Sequence, residues 1–257
     1  MRETTLFSLV IYVLLAVALP ELAAGQADPC QANNLDPGPI PISELTTAKP
    51  IPYTPLREAD VMWSRRIWRR IDLRQKLNHP LYYPENPVGD RWSLFDVLQC
   101  AILNRGTITA YDPGPLGDND MFTAPMTAME VEELLITTDT IPVINLQGEQ
   151  EMVPVTERIS SRDIRFYDIK EEWFFDRQRS VMDVRIIGIC PMVIKRDETT
   201  GAFRGYKPLF WVYYPEARHT LANYKAYLPH NDIDLWSYDD LFWKRRFNSY
   251  IVKRSNV

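Results

Sequence analysis

The sequence predicts an α+β fold in which helices pack on antiparallel strands. Apolar and polar residues alternate from Met182 to Ile194, which is the period-two pattern of a strand with one buried face. Glycines after this segment allow the chain to turn back and pair with residues 206–214, so the strands are expected to be antiparallel. Ser93 and Ser237 each precede an acidic residue by three positions, which is the start signal of a helix.

Residues 1–25 have the features of a secretory signal peptide. Arg2 gives a positive start, an apolar run follows from Leu6 to Leu19, and small residues close the segment near Gly25. The apolar run is too short to span a bilayer comfortably, and a retained membrane anchor is the alternative interpretation. We therefore expect the mature chain to begin near Gln26 and to be exported without a lipid.

Residues 26–55 form a proline-rich segment with few large apolar residues. The prolines are Pro29, Pro37, Pro39, Pro41, Pro50, Pro52 and Pro55. Proline disfavours helices and central strands, so this segment is expected to be extended. Two interpretations stay open: a disordered linker, or an arm that lies along a neighbouring subunit at low entropic cost.

The chain has three cysteines, and an exported protein can form disulfides. Cys100 falls in an apolar helical pattern and Cys190 lies on the apolar side of the predicted strand. Both are therefore expected to be inert buried thiols. Cys30 lies in the proline-rich segment and is the candidate for an intermolecular disulfide.

A helix is predicted from Arg57 to Arg74. At about 100° per residue, its tryptophans and isoleucines share one arc, and four arginines share the opposite arc. These arginines are Arg65, Arg66, Arg69 and Arg70. They form either a solvated face or a docking surface, to which the bidentate guanidinium group is well suited.

Several further elements are predicted along the chain. They are helices at residues 94–104, 126–136 and 216–227, a short strand at 107–111, and irregular or short-stranded structure at 142–158. The last helix is expected to begin at Ser237 and to run to Lys253. Its apolar residues lie on most sides, which is typical of a buried or interfacial helix.

The two ranges 56–160 and 161–257 contain similar short motifs in the same order. Each range has a Trp, then Tyr-Tyr-Pro-Glu, then Trp-Ser with an Asp three residues after the Ser. This order indicates two related tandem α+β halves, although motifs this short also recur by chance.

The composition favours neither nucleic-acid binding nor metal chemistry. The net charge of -5 is too mild and of the wrong sign for a nucleic-acid-binding protein. The three histidines have no zinc-binding spacing. The acidic loop at residues 112–120 lacks the spacing of an EF-hand and is expected to be a turn. Aromatic residues make up 12% of the chain and fit a large core or an assembly surface equally well.

The adjacent carboxylates Glu171 and Glu172 are the nearest approach to a catalytic pair. Arg177 and Arg179 follow closely, so ion pairing is the expected role of these carboxylates. The whole segment from Asp168 to Arg196 combines aromatic and charged residues and contains no nucleophile–base pair. It has the character of a surface that binds another protein.

Five blocks of the sequence closely resemble the GldN/PorN family of the gliding-motility and type IX secretion machinery. The blocks are DVMWSRRIWRRIDLR, SLFDVL, EEWFFDRQRSVMDVRIIGI, LFWVYYPEAR and DDLFWKRRFNSYIVKRSN. The resemblance implies a periplasmic, non-enzymatic ring component without catalytic residues, metals or cofactors. It also implies assembly with the outer-membrane lipoprotein GldK/PorK, contact with the motor protein GldM/PorM, and only indirect membrane association.

We expect the partner-binding residues to be aromatic or arginine side chains in these blocks, in a ring that also joins copies of the chain to one another. They are Arg65, Arg66, Arg69, Arg70, Trp173, Phe174 and Trp243. The alternative function is an exported enzyme that acts on peptidoglycan, or a glycan-binding module, which requires converging carboxylates or exposed aromatic rings in a cleft.

Overall fold

The computed structural model describes residues 48–87, 91–144, 150–197, 202–226 and 236–256. The signal peptide, Cys30 and residues 26–47 of the proline-rich segment lie outside these ranges, so the expectations about them stay predictions. The α+β class is confirmed, because an antiparallel sheet is combined with a few helices.

The described chain contains ten strands and five α-helices. The strands are β1 (Val61–Asp72), β2 (Ala110–Tyr111), β3 (Pro125–Met126), β4 (Ile136–Ile144), β5 (Gln150–Arg158), β6 (Ile164–Asp176), β7 (Val181–Arg196), β8 (Phe203–Pro208), β9 (Trp211–Tyr213) and β10 (Tyr250–Arg254). The helices are α1 (His79–Tyr82), α2 (Leu94–Leu103), α3 (Ala128–Leu135), α4 (Tyr214–Leu221) and α5 (Tyr238–Trp243).

Eight strands form one sheet in the order β10-β1-β6-β7-β9-β2-β3, and β8 also pairs with β7. Strands β4 and β5 form a separate hairpin. The sheet joins the two ranges of the proposed repeat, because β1 from the first range lies between β10 and β6 from the second. The tandem relationship itself stays a prediction.

The core lies on both sides of this sheet. On one side, Ile71 is paired with Tyr167, and both side chains are fully buried together with the apolar residues of α2. On the other side, Phe166, Cys190, Met192 and Trp211 form a buried cluster. The middle of β7 is therefore buried on both faces, and only its two ends are exposed. The strand was predicted with one fully buried face and one mixed face, and the first of these is not buried along its whole length, because Met182 is 59% exposed.

The predicted helix from Arg57 to Arg74 is wrong, because residues 61–72 of this range form the strand β1 and residues 58–60 form a single 3-10 turn. Trp63, Ile67 and Ile71 are spaced by four, which places them on one helical stripe but also on one face of a strand. Aromatic and β-branched residues favour the extended conformation here. The four arginines consequently divide between the two faces of β1 instead of sharing one.

The long C-terminal helix is also wrong, because α5 ends at Trp243 and residues 250–254 form β10. Arg245 has a left-handed backbone with φ of 52°, which interrupts the helix. The apolar residues that were predicted to surround one long helix therefore belong to two elements, α5 and β10. Residues 136–144 and 150–158 form two regular antiparallel strands of nine residues each, whereas irregular or short-stranded structure is predicted for residues 142–158.

Other predictions from the sequence are confirmed. Helices α2, α3 and α4 lie within or close to their predicted ranges, and β7 pairs with β8 as expected. The side chains of Ser93 and Ser237 accept hydrogen bonds from backbone amides three residues later, as N-caps do. Cys190 is a buried free thiol as predicted, but Cys100 is disulfide-bonded, so its assignment as an inert thiol is wrong.

Candidate functional site

At one end of the sheet, three strands form ladders only with one another among the described residues. This end comprises residues 61–66 of β1, 171–176 of β6 and 181–186 of β7. The backbone of Arg66, at the border of this end, also forms hydrogen bonds with Ser255, which follows β10. The neighbouring β10 pairs with β1 at residues 67–70, and β9 pairs with β7 at residues 188 and 189. We call this part of the sheet the three-stranded end.

The strand register places a group of apolar and aromatic side chains on one side of the three-stranded end. Trp63 lies opposite Phe175, which lies opposite Met182. Arg65 lies opposite Trp173, which lies opposite Val184. Directly paired residues point to the same side of a sheet. The resulting aromatic face consists of Trp63, Arg65, Trp173, Phe175, Met182 and Val184.

The aromatic face is partly exposed to solvent. Trp63 is 40% exposed and Met182 is 59% exposed, whereas the other members of the face are partly buried. Single apolar residues on a protein surface are common, but a contiguous exposed group indicates a surface for another macromolecule. Tryptophan, methionine and arginine are also the residues that are enriched in protein interfaces.

Arg65 has an unmet hydrogen-bonding group on this face. Its guanidinium lies 5.8 Å from the centre of the Trp63 ring. Its Nε atom is shielded from solvent, yet it has no acceptor among the residues that the structure describes. A buried donor without an acceptor is costly. A carbonyl or carboxylate oxygen from a bound partner would satisfy it.

Trp173 is held in place by a fully buried carboxylate. Its Nε1 donates a hydrogen bond of 2.8 Å to Glu171 Oε2, and Arg245 Nη2 lies 2.9 Å from Glu171 Oε1. The Arg245 guanidinium also lies 5.5 Å from the Trp173 ring centre. The expected pairing of Glu171 with Arg177 or Arg179 is wrong. The left-handed turn at Arg245 instead brings a distant arginine to this carboxylate.

Phe174 lies on the opposite side of the three-stranded end and is buried, so it is not part of the aromatic face. The Arg185 guanidinium lies 5.2 Å from the Phe174 ring and 5.0 Å from the Tyr53 ring. Arg185 Nη2 also donates a hydrogen bond of 2.6 Å to the Thr54 carbonyl. The last residues of the proline-rich segment are therefore attached to this side.

Trp243 contributes to the attachment of the same segment. Its ring centre lies 5.3 Å from that of Tyr53, and the Arg218 guanidinium lies 4.5 Å from Tyr53 and 5.0 Å from Trp243. Arg218 is fixed by two hydrogen bonds of 2.8 and 3.0 Å to the buried carboxylate of Asp239. Burial of Tyr53 raises the pKa of its hydroxyl above the ordinary value.

The other predicted arginines do not join the aromatic face. Arg66 is exposed on the opposite side, and its backbone pairs with Ser255. Arg69 Nε donates a hydrogen bond of 2.8 Å to Ser249 Oγ, which secures the chain before β10. Arg70 forms a bidentate pair with Asp168 at 2.6 and 2.7 Å. Arg69 and Arg70 therefore have structural contacts within the chain.

The sequence prediction missed Trp63, Phe175, Met182 and Val184 as members of the face. Trp63 was assigned to the wrong element, and the alternation in β6 was hidden because Trp173, Phe174 and Phe175 are consecutive aromatic residues. In a strand, alternate residues lie on the same face, so a predicted strand in place of the helix at β1 would have put Trp63 and Arg65 together on one face.

A small cleft lies beside α4 and α5. Residues 48–51 line one side of it, and Asp239 and Asp240 line the other. Asp239 binds Arg218 and Tyr214, and Asp240 accepts hydrogen bonds from the backbone and hydroxyl of Ser237. Both carboxylates therefore have structural roles. Within the described ranges, no group of three potential metal ligands is present, and no helix there is long and apolar enough to cross a membrane.

The fold is α+β, and its three-stranded end carries a partly exposed aromatic face. The model of one protein family, described as gliding motility associated protein GldN, matches residues 56–257. The chain therefore belongs to the GldN family, as its sequence blocks indicate. A comparison with curated proteins finds no match.

Proposed function

We propose that the protein is a non-enzymatic structural subunit of a periplasmic ring in the type IX secretion and gliding-motility machine. In this proposal it assembles with the outer-membrane lipoprotein GldK/PorK, contacts the motor protein GldM/PorM and joins neighbouring copies of itself. The observation that carries the proposal is the open aromatic face in a chain of the GldN family.

The energetics of the aromatic face support an assembly role. Full burial of a large apolar side chain contributes about 1.5–3 kcal/mol relative to exposure. In the isolated chain Trp63 and Met182 remain substantially exposed, so much of this free energy of burial is still available for binding a partner. An acceptor for Arg65 Nε would add a hydrogen bond to a charged group, which is worth about 1.5–3 kcal/mol.

The disulfide at Cys100 supports a location outside the cytoplasm. Disulfides persist in oxidising compartments, which include the bacterial periplasm, and are rare in the cytosol. This agrees with the signal peptide expected at residues 1–25. The periplasmic location remains part of the proposal.

The test is co-expression with the lipoprotein GldK/PorK, followed by size measurement and electron microscopy of the purified complex. The wild-type chain should form large particles with the lipoprotein. The double variant Trp63→Ala/Met182→Ser should fold normally and form far fewer particles. Met129→Ser is the matched control, because Met129 is 72% exposed and lies on α3, which is not part of the three-stranded end. Small particles from the wild-type chain, together with peptidoglycan turnover, would support the enzyme alternative.

A further inference from the structure

We propose that the aromatic face and the turn after α5 form one docking surface, and that its occupant is a segment of a partner protein that carries both apolar residues and carboxylates. This inference rests on the proposed function, because it specifies the chemistry of the partner that covers the aromatic face. The turn consists of residues 244–246, and we call it the basic turn.

The basic turn holds two cations beside one indole ring. The ammonium group of Lys244 lies 4.1 Å from the centre of the Trp236 ring, and the Arg246 guanidinium lies 4.7 Å from it. Both cationic residues are exposed, and neither forms an ion pair within the part of the chain that the structure describes. Two positive charges at one ring repel each other, and a carboxylate bound beside them offsets this repulsion.

Arg245 joins the basic turn to the aromatic face. Its guanidinium lies 5.5 Å from the centre of the Trp173 ring, and its Nη2 lies 2.9 Å from Glu171 Oε1. Glu171 is fully buried, so its charge is engaged within the chain. Lys244 and Arg246 directly flank Arg245 in the sequence, so their charges lie at the border of the aromatic face without an acid to balance them.

The strand register orders the surface from an apolar end to a basic end. The row of residues nearest the turn between β6 and β7 contains Trp63 and is apolar. The next row, about 7 Å farther along the strands, contains Arg65 and Trp173. The row after it contains Glu171, to which Arg245 is bound. The occupant should therefore place apolar residues over the first row and carboxylates over the second row and the basic turn.

The surroundings of Arg65 favour a carboxylate from a folded partner. Arg65 forms no ion pair with any described residue, and its shielded Nε has no acceptor there. Glu171 is the one carboxylate in the three rows, and it is taken by Arg245. A guanidinium binds a carboxylate through two parallel hydrogen bonds. The guanidinium packs against Trp63, so its donors have fixed directions, which suits an acceptor held in a protein better than a mobile lipid headgroup.

The first test is carbodiimide cross-linking of the complex between the mature chain and GldK/PorK, with the products identified by mass spectrometry. The carbodiimide joins a lysine amine to a carboxylate in contact with it, with net loss of water and without a spacer. We expect Lys244 to be joined to an aspartate or glutamate of another chain. A complex that forms normally, but in which Lys244 gives no product with another chain, would overturn the inference.

Charge variants test the contribution of the basic turn to binding. Lys244→Ala/Arg246→Ala should retain the fold and weaken the affinity for GldK/PorK about tenfold at about 0.1 M salt. The difference should shrink at about 1 M salt, where the screening length falls from about 10 Å to about 3 Å. Lys195→Ala/Lys207→Ala removes the same charge from exposed positions near the opposite end of β7 and should leave the affinity unchanged. Equal losses for the two double variants would mean that the net charge, and not the basic turn, determines binding.

Two comparisons separate this inference from its alternatives. If Trp63→Ala/Met182→Ser disrupts the particles while Lys244→Ala/Arg246→Ala leaves their affinity and salt dependence unchanged, the inference fails and the proposed function stands. If neither double variant affects the particles, both fail. If the basic turn is needed for binding to phosphatidylglycerol vesicles but not to GldK/PorK, it binds a lipid headgroup and the inference is wrong.

Discussion

The ammonium group of Lys170 lies 3.0 Å from the carboxylate of Asp120 and donates a further hydrogen bond of 2.7 Å to its backbone carbonyl. Lys170 is central in β6, and Asp120 lies in the loop after β2. The second carboxylate oxygen of Asp120 accepts a bond of 2.6 Å from Trp68 Nε1. This buried pair fixes the acidic loop, for which the sequence predicted a turn, to the sheet.

Loss of Asp120 should destabilise the fold strongly, because Lys170 would keep a charge in a site where its side chain is only 3% exposed. We expect Asp120→Ala to lower the free energy of unfolding by about 3–5 kcal/mol, as measured by chemical denaturation. The double variant Lys170→Met/Asp120→Ala should recover part of this loss. Arg204→Ala, at an ion pair with Asp197 in which the arginine side chain is 65% exposed, should cost less than about 1 kcal/mol. If Asp120→Ala and Arg204→Ala lowered the free energy of unfolding equally, the buried Lys170–Asp120 pair would not be the stronger of the two interactions.

Gly188 leaves space in β7 for the ring of Phe122, and a Cβ atom at position 188 would overlap that ring. Phe122 cannot move away freely, because Tyr111 and Tyr213 pack against it at ring-centre distances of 5.5 Å each. Gly188→Ala should therefore lower unfolding free energy by about 1–3 kcal/mol. In a double-mutant cycle, Phe122→Leu should reduce this cost. If the free-energy costs of the two substitutions are additive, contact with Phe122 is not the cause of the destabilisation by Gly188→Ala.

Arg66 and Arg70 provide a matched comparison on one strand. Arg70 is bound to Asp168 in a pair whose side chains are 15% and 17% exposed, and its guanidinium also faces the ring of Phe166 at 5.5 Å. Arg70→Ala should lower the thermal midpoint and cost about 3 kcal/mol. Arg66→Ala should change stability by no more than about 0.5 kcal/mol. If Arg66→Ala lowered the free energy of unfolding more than Arg70→Ala, the ion pair of Arg70 with Asp168 would not be the more important contact.

Cys190 should be inert toward thiol reagents over a wide pH range. Burial raises the pKa of its thiol well above the ordinary value, and the thiolate is the reactive form. The stability associated with the neutral thiol is therefore present below about pH 8.5 and declines as pH rises toward the raised pKa. Labelling mapped to the Cys190 peptide should be about 10³-fold or more slower in the native chain than in the unfolded chain, at pH 7 and at pH 9. Rapid labelling of the folded chain at pH 9 would contradict the buried position.

The sequence was most informative where local signals and tertiary packing agree. Ser93 and Ser237 predicted the starts of α2 and α5, because the serine N-cap acts within one helical turn. The alternation in β7 predicted a strand for a similar local reason. The protein-binding surface predicted in residues 168–196 stays a prediction, and Trp173 from this segment lies on the aromatic face.

Features that depend on distant contacts could not be predicted from local patterns. The spacing of Trp63 and Ile67 fits both a helix and a strand, and only pairing with β6 decides between them. The Glu171–Arg245 pair joins residues from two separate elements, so the sequence suggested nearer arginines instead. The division of the arginines between the two faces of β1 follows from the pairing of β1 with β6.

We expect the three-stranded end to become buried when the protein assembles. The most direct test is amide hydrogen exchange of the mature chain, free and in its complex with GldK/PorK. We expect residues 61–66 and 181–186 to gain protection on assembly, while α3 remains unchanged. If the complex forms and the exchange of the three-stranded end is the same as in the free chain, the aromatic face is not the assembly surface.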